Sequence, residues 1–282
     1  EIVLVFLVIF GERLIQSIRR RDTSFLYFGL VFTNLFLPYL VWRHQYYGYW
    51  VPNTFYAKVG PDLLVQSKRG FEYFWKFAGS AGLIVAPAVT AMLVPDTLRK
   101  NSMRVGVIGV VVFVHTVYVV LVGGDVMFVS RFFAPFLPLF CILGSLLLSL
   151  LLSRPRQVVA VTLAIVVYNQ AHFYFGPAHR PTGNVAYYGE EVGRWMRENL
   201  PADATIATNT AGSIPFFSKL KTIDMLGLND AHIARREIPA MGLGMPGHEK
   251  GDGQYVLDRE PDYIQLGSAL GAERSRMFLR DR

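Results

Sequence analysis

The stretch Gly123-Gly124-Asp125-Val126-Met127-Phe128-Val129-Ser130-Arg131-Phe132-Phe133 decides how the rest of the chain is read. It is short and polar, and it stands between two apolar runs, Val105 to Val122 and Phe132 to Leu152. Each run is near the roughly 20 residues that cross a bilayer as a helix. Asp125 and Arg131 then stand at the edge of hydrocarbon, where ionisable groups are costly and are read as functional.

Working outward, further apolar runs cover Ile2 to Phe10, extending through Ile18, then Phe25 to Trp42, Phe74 to Val94 and Val158 to Phe175. Together they predict a polytopic α-helical bundle of about six spans over residues 1–175, the first one truncated. The chain starts at Glu1 with no basic leader before its short first run, which is read as the mark of a fragment. Pro61 to Tyr73 reads as an amphipathic, interfacial segment.

Charge separates the two parts of the chain. The whole carries a net +7, yet residues 1–175 hold +8 and residues 176–282 hold −1. A nucleic-acid binder carries its basic stripe on a soluble domain, so no nucleic-acid partner is expected. Basic residues that flank apolar runs report membrane topology instead. Arg13, Arg19, Arg20, Arg21, Arg99, Lys100, Arg104, Arg154 and Arg156 fall in one set of short connections, which is therefore cytoplasmic. The Tyr46–Lys58 stretch, the Gly123–Arg131 loop and the tail then face outward. Cys141, the single cysteine, lies in an apolar run and reads as a small buried hydrophobe.

The tail, 176–282, has the pattern of a small extracytoplasmic α/β domain. Tyr187 to Asn199 reads as a helix, and strands are predicted at Ala204–Ala207, Thr222–Met225 and Tyr263–Leu266. Asn229 or Asp230 caps a helix running through Arg236.

Several groups have the chemistry of a site, each with a plainer alternative. Asp125 can cap the next helix, or it can bind a sugar hydroxyl or a divalent cation, or take a proton from an acceptor hydroxyl. Arg131 can snorkel to the interface, or it can hold a phosphate oxygen in forked geometry. The tyrosines around Tyr46 and Tyr47 suit an aromatic belt, but Pro52-Asn53-Thr54 and Lys58 suit a re-entrant loop over a site. There, aromatic faces would stack on sugar rings, and Asn53 and Lys58 would contact hydroxyl or phosphate. In the tail, His248-Glu249-Lys250-Gly251-Asp252-Gly253 lacks the spacing of a zinc site, and no metal ligand set is assigned. His232 reads as structural, while Asp224 and Asp230 either line a cleft or cap. No phosphate-cradling loop and no nucleophile elbow are present.

Four stretches carry a resemblance. They are Tyr46-Tyr47-Gly48 with Pro52-Asn53-Thr54 and Tyr56-Ala57-Lys58; Gly123-Gly124-Asp125 with Met127 and Arg131-Phe132; Leu226-Gly227-Leu228-Asn229-Asp230 with His232-Ile233-Ala234; and Gly247-His248-Glu249-Lys250-Gly251-Asp252-Gly253 with Tyr255-Val256-Leu257, ending Pro261-Asp262-Tyr263-Ile264. The chain resembles bacterial membrane glycosyltransferases of the GT-C superfamily, the mycobacterial terminal arabinofuranosyltransferases among them. The resemblance covers most of residues 40–265.

It implies a polyprenyl-phosphate sugar donor, with arabinofuranose as one candidate sugar, and an envelope glycan acceptor outside the cytoplasmic membrane. It also implies substrate contacts by Tyr46, Tyr47, Asn53, Lys58, Arg131, Asn229, Asp230, His232, His248 and Glu249. Asp125 is the candidate catalytic residue, and a divalent cation is the candidate cofactor. The superfamily's usual aspartate in the first outer loop has no counterpart here, and Tyr49 stands where many relatives are expected to carry an acidic residue. A non-catalytic glycan-binding or polysaccharide-assembly partner is the alternative. A transporter is disfavoured by the scarcity of ionisable residues such as His115 inside the runs and by the absence of a half-to-half repeat.

Overall fold

The computed structural model describes residues 2–93, 102–125, 131–152, 154–175, 184–239, 241–267 and 269. In chain order its elements are α1 (Ile2–Arg20), α2 (Ser24–Tyr47), α3 (Asn53–Lys58), α4 (Leu63–Ser80), α5 (Gly82–Leu93) and α6 (Ser102–Leu121). A 3-10 turn, Ala134–Phe136, leads into α7 (Leu137–Leu151), then α8 (Pro155–Phe175) and α9 (Asn184–Asn199). The tail continues as β1 (Thr205–Thr208), α10 (Ser213–Ser218), β2 (Lys221–Asp224), α11 (Ala231–Arg235), α12 (Gly253–Asp258) and β3 (Tyr263–Gln265).

These elements form two compact units, and the chain passes between them more than once. Glu1–Trp50 with Ser67–His179 make one unit, and Val51–Gln66 with Arg180–Arg282 make the other. The short α3 segment therefore belongs with the tail.

The expected fold class, a polytopic GT-C-like bundle of about six spans followed by an extracytoplasmic α/β domain, is corrected. Among the described residues one helix, Ser24–Tyr47, is long and apolar enough to cross a membrane, and two shorter apolar helices cover Val105–Leu121 and Ala134–Ser149. The physical reasons are local. The expected span Phe74 to Val94 is broken at Ala81, between α4 and α5. Pro135 and Pro138 stand in the first turn of their helices, so the run from Phe132 opens as a 3-10 turn before α7 begins. The first run carries Glu12, Arg13, Arg19 and Arg20 inside α1.

Helix α2 is unlike its neighbours, because none of its residues is buried. Its 24 residues extend for about 36 Å, comparable to the hydrocarbon thickness of a bilayer. Aromatic contacts tie it to α1, with Phe6 stacked on Phe32 at 3.7 Å between ring centres. It ends at Gly48, whose left-handed backbone (φ 74°) lets its N–H reach His44 O.

The core of this first unit is aromatic and close-packed. Phe133 is fully buried and stacks on Phe77 at 4.3 Å, with Phe140, Leu143 and Val119 around it. Gly70 lets α4 lie against α6: a Cβ there would stand 2.1 Å from Val120 O.

The second unit is built on a three-stranded parallel sheet in the order β2-β1-β3, with Ala207 opposite Ile223 on one side and Ile264 on the other. Successive side chains on β1 point to opposite faces. Ile206 packs with Met196, Ile214 and Leu220 beneath α9 and α10. Ala207 packs with Ile223, Ile233 and Val256 beneath α11 and α12. The sheet is thus covered by helices on both faces, as parallel sheets require.

Candidate functional site

In the first unit, the glycine pair after α6 builds the Asp125 loop. Gly123 (φ 81°) and Gly124 (φ 66°) turn left-handed and donate to Val120 O and Val119 O. A side chain at Gly124 would collide with Tyr73, whose Cβ lies 2.5 Å from the position. Arg69 Nε donates to Gly123 O at 3.2 Å and holds the turn from α4.

The result is a fully buried Asp125 side chain whose Oδ2 meets Arg131 Nε, while about half of the Arg131 side chain stays open. The segment beyond is also pinned. Phe132 N–H donates to Tyr73 Oη at 3.3 Å, and His115 Nε2 donates to Phe132 O at 2.7 Å. His115 is buried and stacks on Phe136, so it is a packed helix residue here. Met127 lies outside the described residues. Tyr46 and Tyr47 end α2 exposed, Tyr46 stacked on Trp42 at 5.7 Å. The expected loop Tyr46–Lys58 is therefore divided between the units.

In the second unit, α3 follows the extended backbone of Pro52 (ψ 155°). Asn53 Nδ2 donates to Asn229 O at 3.4 Å, and Asn53 Oδ1 accepts from Arg235 Nη1 at 3.0 Å. The same guanidinium lies 4.4 Å from the centre of the Tyr56 ring. Lys58 runs beside Gly247, where an added Cβ would stand 3.2 Å from Lys58 Cε. Asn53, in the later part of the first motif stretch, is thus joined to Asn229 of the third across 176 residues of chain.

The loop after β2 is shaped by Asp224, which is buried and accepts Leu226 N–H at 2.9 Å and Asn229 N–H at 2.6 Å. Burial pushes its carboxyl above the ordinary carboxylate range, against the pull of those backbone donors. Gly227 (φ 79°) makes the turn. A Cβ there would stand 2.6 Å from Ala234 N. Asp230 then caps α11 with Oδ1, accepting from His232 N and Ile233 N, while Oδ2 takes Tyr255 Oη–H at 3.1 Å and Arg259 Nη1 at 2.9 Å.

His232 stacks on Tyr255 and places Nε2 2.9 Å from Asp252 Oδ2. Asp252 caps α12 through Tyr255 N. Burial raises the Asp252 carboxyl, but the His232 hydrogen bond, the Tyr255 N–H and the Arg236 charge outweigh it and hold the group below its ordinary range. Glu249 is buried, and its Oε1 accepts from Gly242 N at 2.8 Å and Gly244 N at 2.7 Å. Lys250 Nζ is buried against Ala234 O at 2.7 Å, and burial lowers its pKa. His248 is exposed, with Nδ1 3.3 Å from Pro246 O.

Asn53, Lys58, Asn229, Asp230, His232, His248 and Glu249 therefore share the second unit, and Tyr46, Tyr47, Asp125 and Arg131 belong to the first. Sequence reasoning missed Arg235, Tyr56 as its stacking partner, and Asn209 at the end of β1. The signal for Asn209 was a polar residue directly after the strand; Arg235, at the end of a short helix and followed at once by Arg236, carried none. Among the described residues no group of three or more His, Cys, Asp or Glu side chains converges as a metal site.

A family model described as "Domain of unknown function (DUF8728)" matches residues 179–279, the stretch that holds the sheet and both cap networks. No curated protein and no solved structure matches the chain.

Proposed function

We propose that the protein moves a sugar from a polyprenyl-phosphate donor to an envelope glycan on the outer face of a bacterial cytoplasmic membrane. One observation carries this reading. The separate stretches of the sugar-transferase pattern are structurally joined where they share a unit: Asn53 and Tyr56 meet Arg235 and Asn229.

In the transfer, the bond from the anomeric carbon to the phosphate oxygen breaks. The acceptor oxygen bonds to that carbon, and the acceptor hydroxyl's proton ends on the departing phosphate oxygen. Negative charge grows on the departing lipid phosphate, and a preorganised cation stabilises it. Arg131, half open and anchored through Asp125, supplies that cation. Asp125, buried behind the guanidinium, acts by orienting Arg131. The unburied apolar helix α2 suits the lipid-facing side.

Transfer from a radiolabelled polyprenyl-phosphate sugar, measured in membranes, tests this. Arg131→Ala should lower turnover about 100-fold, the size of losing one transition-state donor, and Asp125→Asn should lower it less. Undiminished turnover in both variants removes them from the mechanism.

A second reading is a non-catalytic glycan-binding partner. It is favoured by the engagement of Asp125, Asp224, Asp230 and Asp252 in structural pairs, which leaves the base unassigned. It predicts glycan binding without turnover in the same membranes.

A further inference from the structure

The second unit has a point in its sheet where successive loops part, and Asn209 beside it lies outside the motif stretches. β1 is followed by α10 on one face of the sheet, and the adjacent β2 is followed by α11 on the other face. Neighbouring parallel strands whose loops leave to opposite faces open a crevice outside their carboxyl ends, the usual ligand position in such sheets.

Here those loops are residues 209–212 after β1 and 225–230 after β2. The floor between them is polar. Thr208 Oγ1 donates to Gln265 Oε1 at 2.6 Å and accepts from Thr210 N–H, so that hydroxyl is satisfied. Asn209 Nδ2 donates to Gly267 O at 3.2 Å, but its Oδ1 is buried and has no hydrogen-bond partner among the described residues. An amide oxygen in that state costs free energy until a donor reaches it. Hydrogen bonds at the rim include Asn229 Nδ2 to Ala211 O at 3.2 Å and Asn53 Nδ2 to Asn229 O at 3.4 Å. Asn229 is exposed, so these bonds are free to exchange for a ligand's.

The chemistry of the occupant follows from what is missing. An orphaned acceptor needs a proton donor, which a carboxylate or a phosphate diester does not offer and inorganic phosphate brings only together with negative charge. The buried Asp224 carboxyl beneath the same loop also disfavours an anion. A neutral polyhydroxyl compound supplies donors and then accepts from the rim amides. We infer that the crevice at the carboxyl ends of β1 and β2 binds a neutral saccharide, with Asn209 Oδ1 accepting a sugar hydroxyl and the Asn229 and Asn53 amides donating from the rim. The inference deepens the sugar-transfer reading, on which it rests for assigning the saccharide as the acceptor.

The test titrates the full chain in detergent with an arabinofuranose hexasaccharide and with maltohexaose, using inorganic phosphate as the anion control. At least one saccharide should bind. Asn209→Ala and Asn229→Ala should each weaken it about tenfold, the size of one lost hydrogen bond, while Glu190→Gln on the exposed side of α9 leaves it unchanged. Thermal unfolding of each variant is read alongside, and where Asn209→Ala misfolds, Asn229→Ala and Asn53→Ala carry the test.

Failure of both saccharides to bind overturns the inference. So does saccharide binding that ignores the crevice variants, or competition by phosphate. Transfer is measured on the same proteins. Turnover with binding indifferent to Asn209 removes the crevice and leaves the transferase; crevice-dependent binding without turnover removes the transferase and leaves the crevice.

Discussion

The Asp125 carboxylate in one unit and the Asp230 carboxylate in the other are held by opposite means. Asp125 has no exposed side-chain surface and faces a guanidinium that keeps half of its own surface open. Asp230 spends one oxygen on two backbone N–H groups and the other on a tyrosine hydroxyl and an arginine. A carboxylate surrounded by donors fixes a helix start and a loop. A buried carboxylate behind an open cation fixes where that cation stands. The first arrangement is architecture, and the second leaves about half of the Arg131 side chain open.

The comparison can be broken at three points. The largest effect is expected where backbone geometry delivers Asp230. Gly227→Ala would force a left-handed backbone and drive a Cβ to 2.6 Å from Ala234 N, costing about 3 kcal/mol. Gly48→Ala shares the backbone strain with open space around it, and should cost only about 1 kcal/mol. Equal losses in chemical unfolding would show that the Asp230 loop is not sterically enforced.

Next come the cations themselves. Arg131→Met removes the guanidinium that meets a buried carboxylate. The loss should be about 2 kcal/mol, below that of a fully buried pair because Arg131 is half open. Arg259→Met leaves Asp230 with its backbone and tyrosine donors and should cost about 0.5 kcal/mol. A reversed order in unfolding midpoints would sink the distinction drawn between the two carboxylates.

The smallest effect sharpens the charge side of the second unit. Asp252→Asn keeps the cap on α12 but removes the charge that His232 and Arg236 meet. The native carboxyl is held below its ordinary range. Its contribution is therefore complete above the unfolded value of about 4 and disappears as the pH falls through the lower folded value. The variant should be less stable by about 0.5–1 kcal/mol at pH 7, and the gap in thermal midpoint should close below about pH 4. A gap independent of pH would mean that the charge contributes nothing.

Legibility in the sequence follows the range of the interactions concerned. The predicted strands Ala204–Ala207 and Thr222–Met225 lie within a residue of the observed Thr205–Thr208 and Lys221–Asp224, and the cap at Asp230 was visible from its neighbours. The spans were overread because apolar composition looks alike in a membrane helix and in the close-packed core around Phe133. Glu249 and His232 were visible as polar residues on a glycine-rich loop and a short helix. Their partners, Gly242 N, Gly244 N and Asp252, were not.

Residue patterning alone determined where the tail's chain extends, turns and starts helices, because alternation, capping and positive-φ glycines act within a few residues. Only the tertiary structure decided that Asn53 belongs with Arg235, that Asp125 faces Arg131 from a buried position, and that Asn209 is left with an unmet acceptor. Those outcomes depend on which distant segments share a core, and no local pattern encodes that choice.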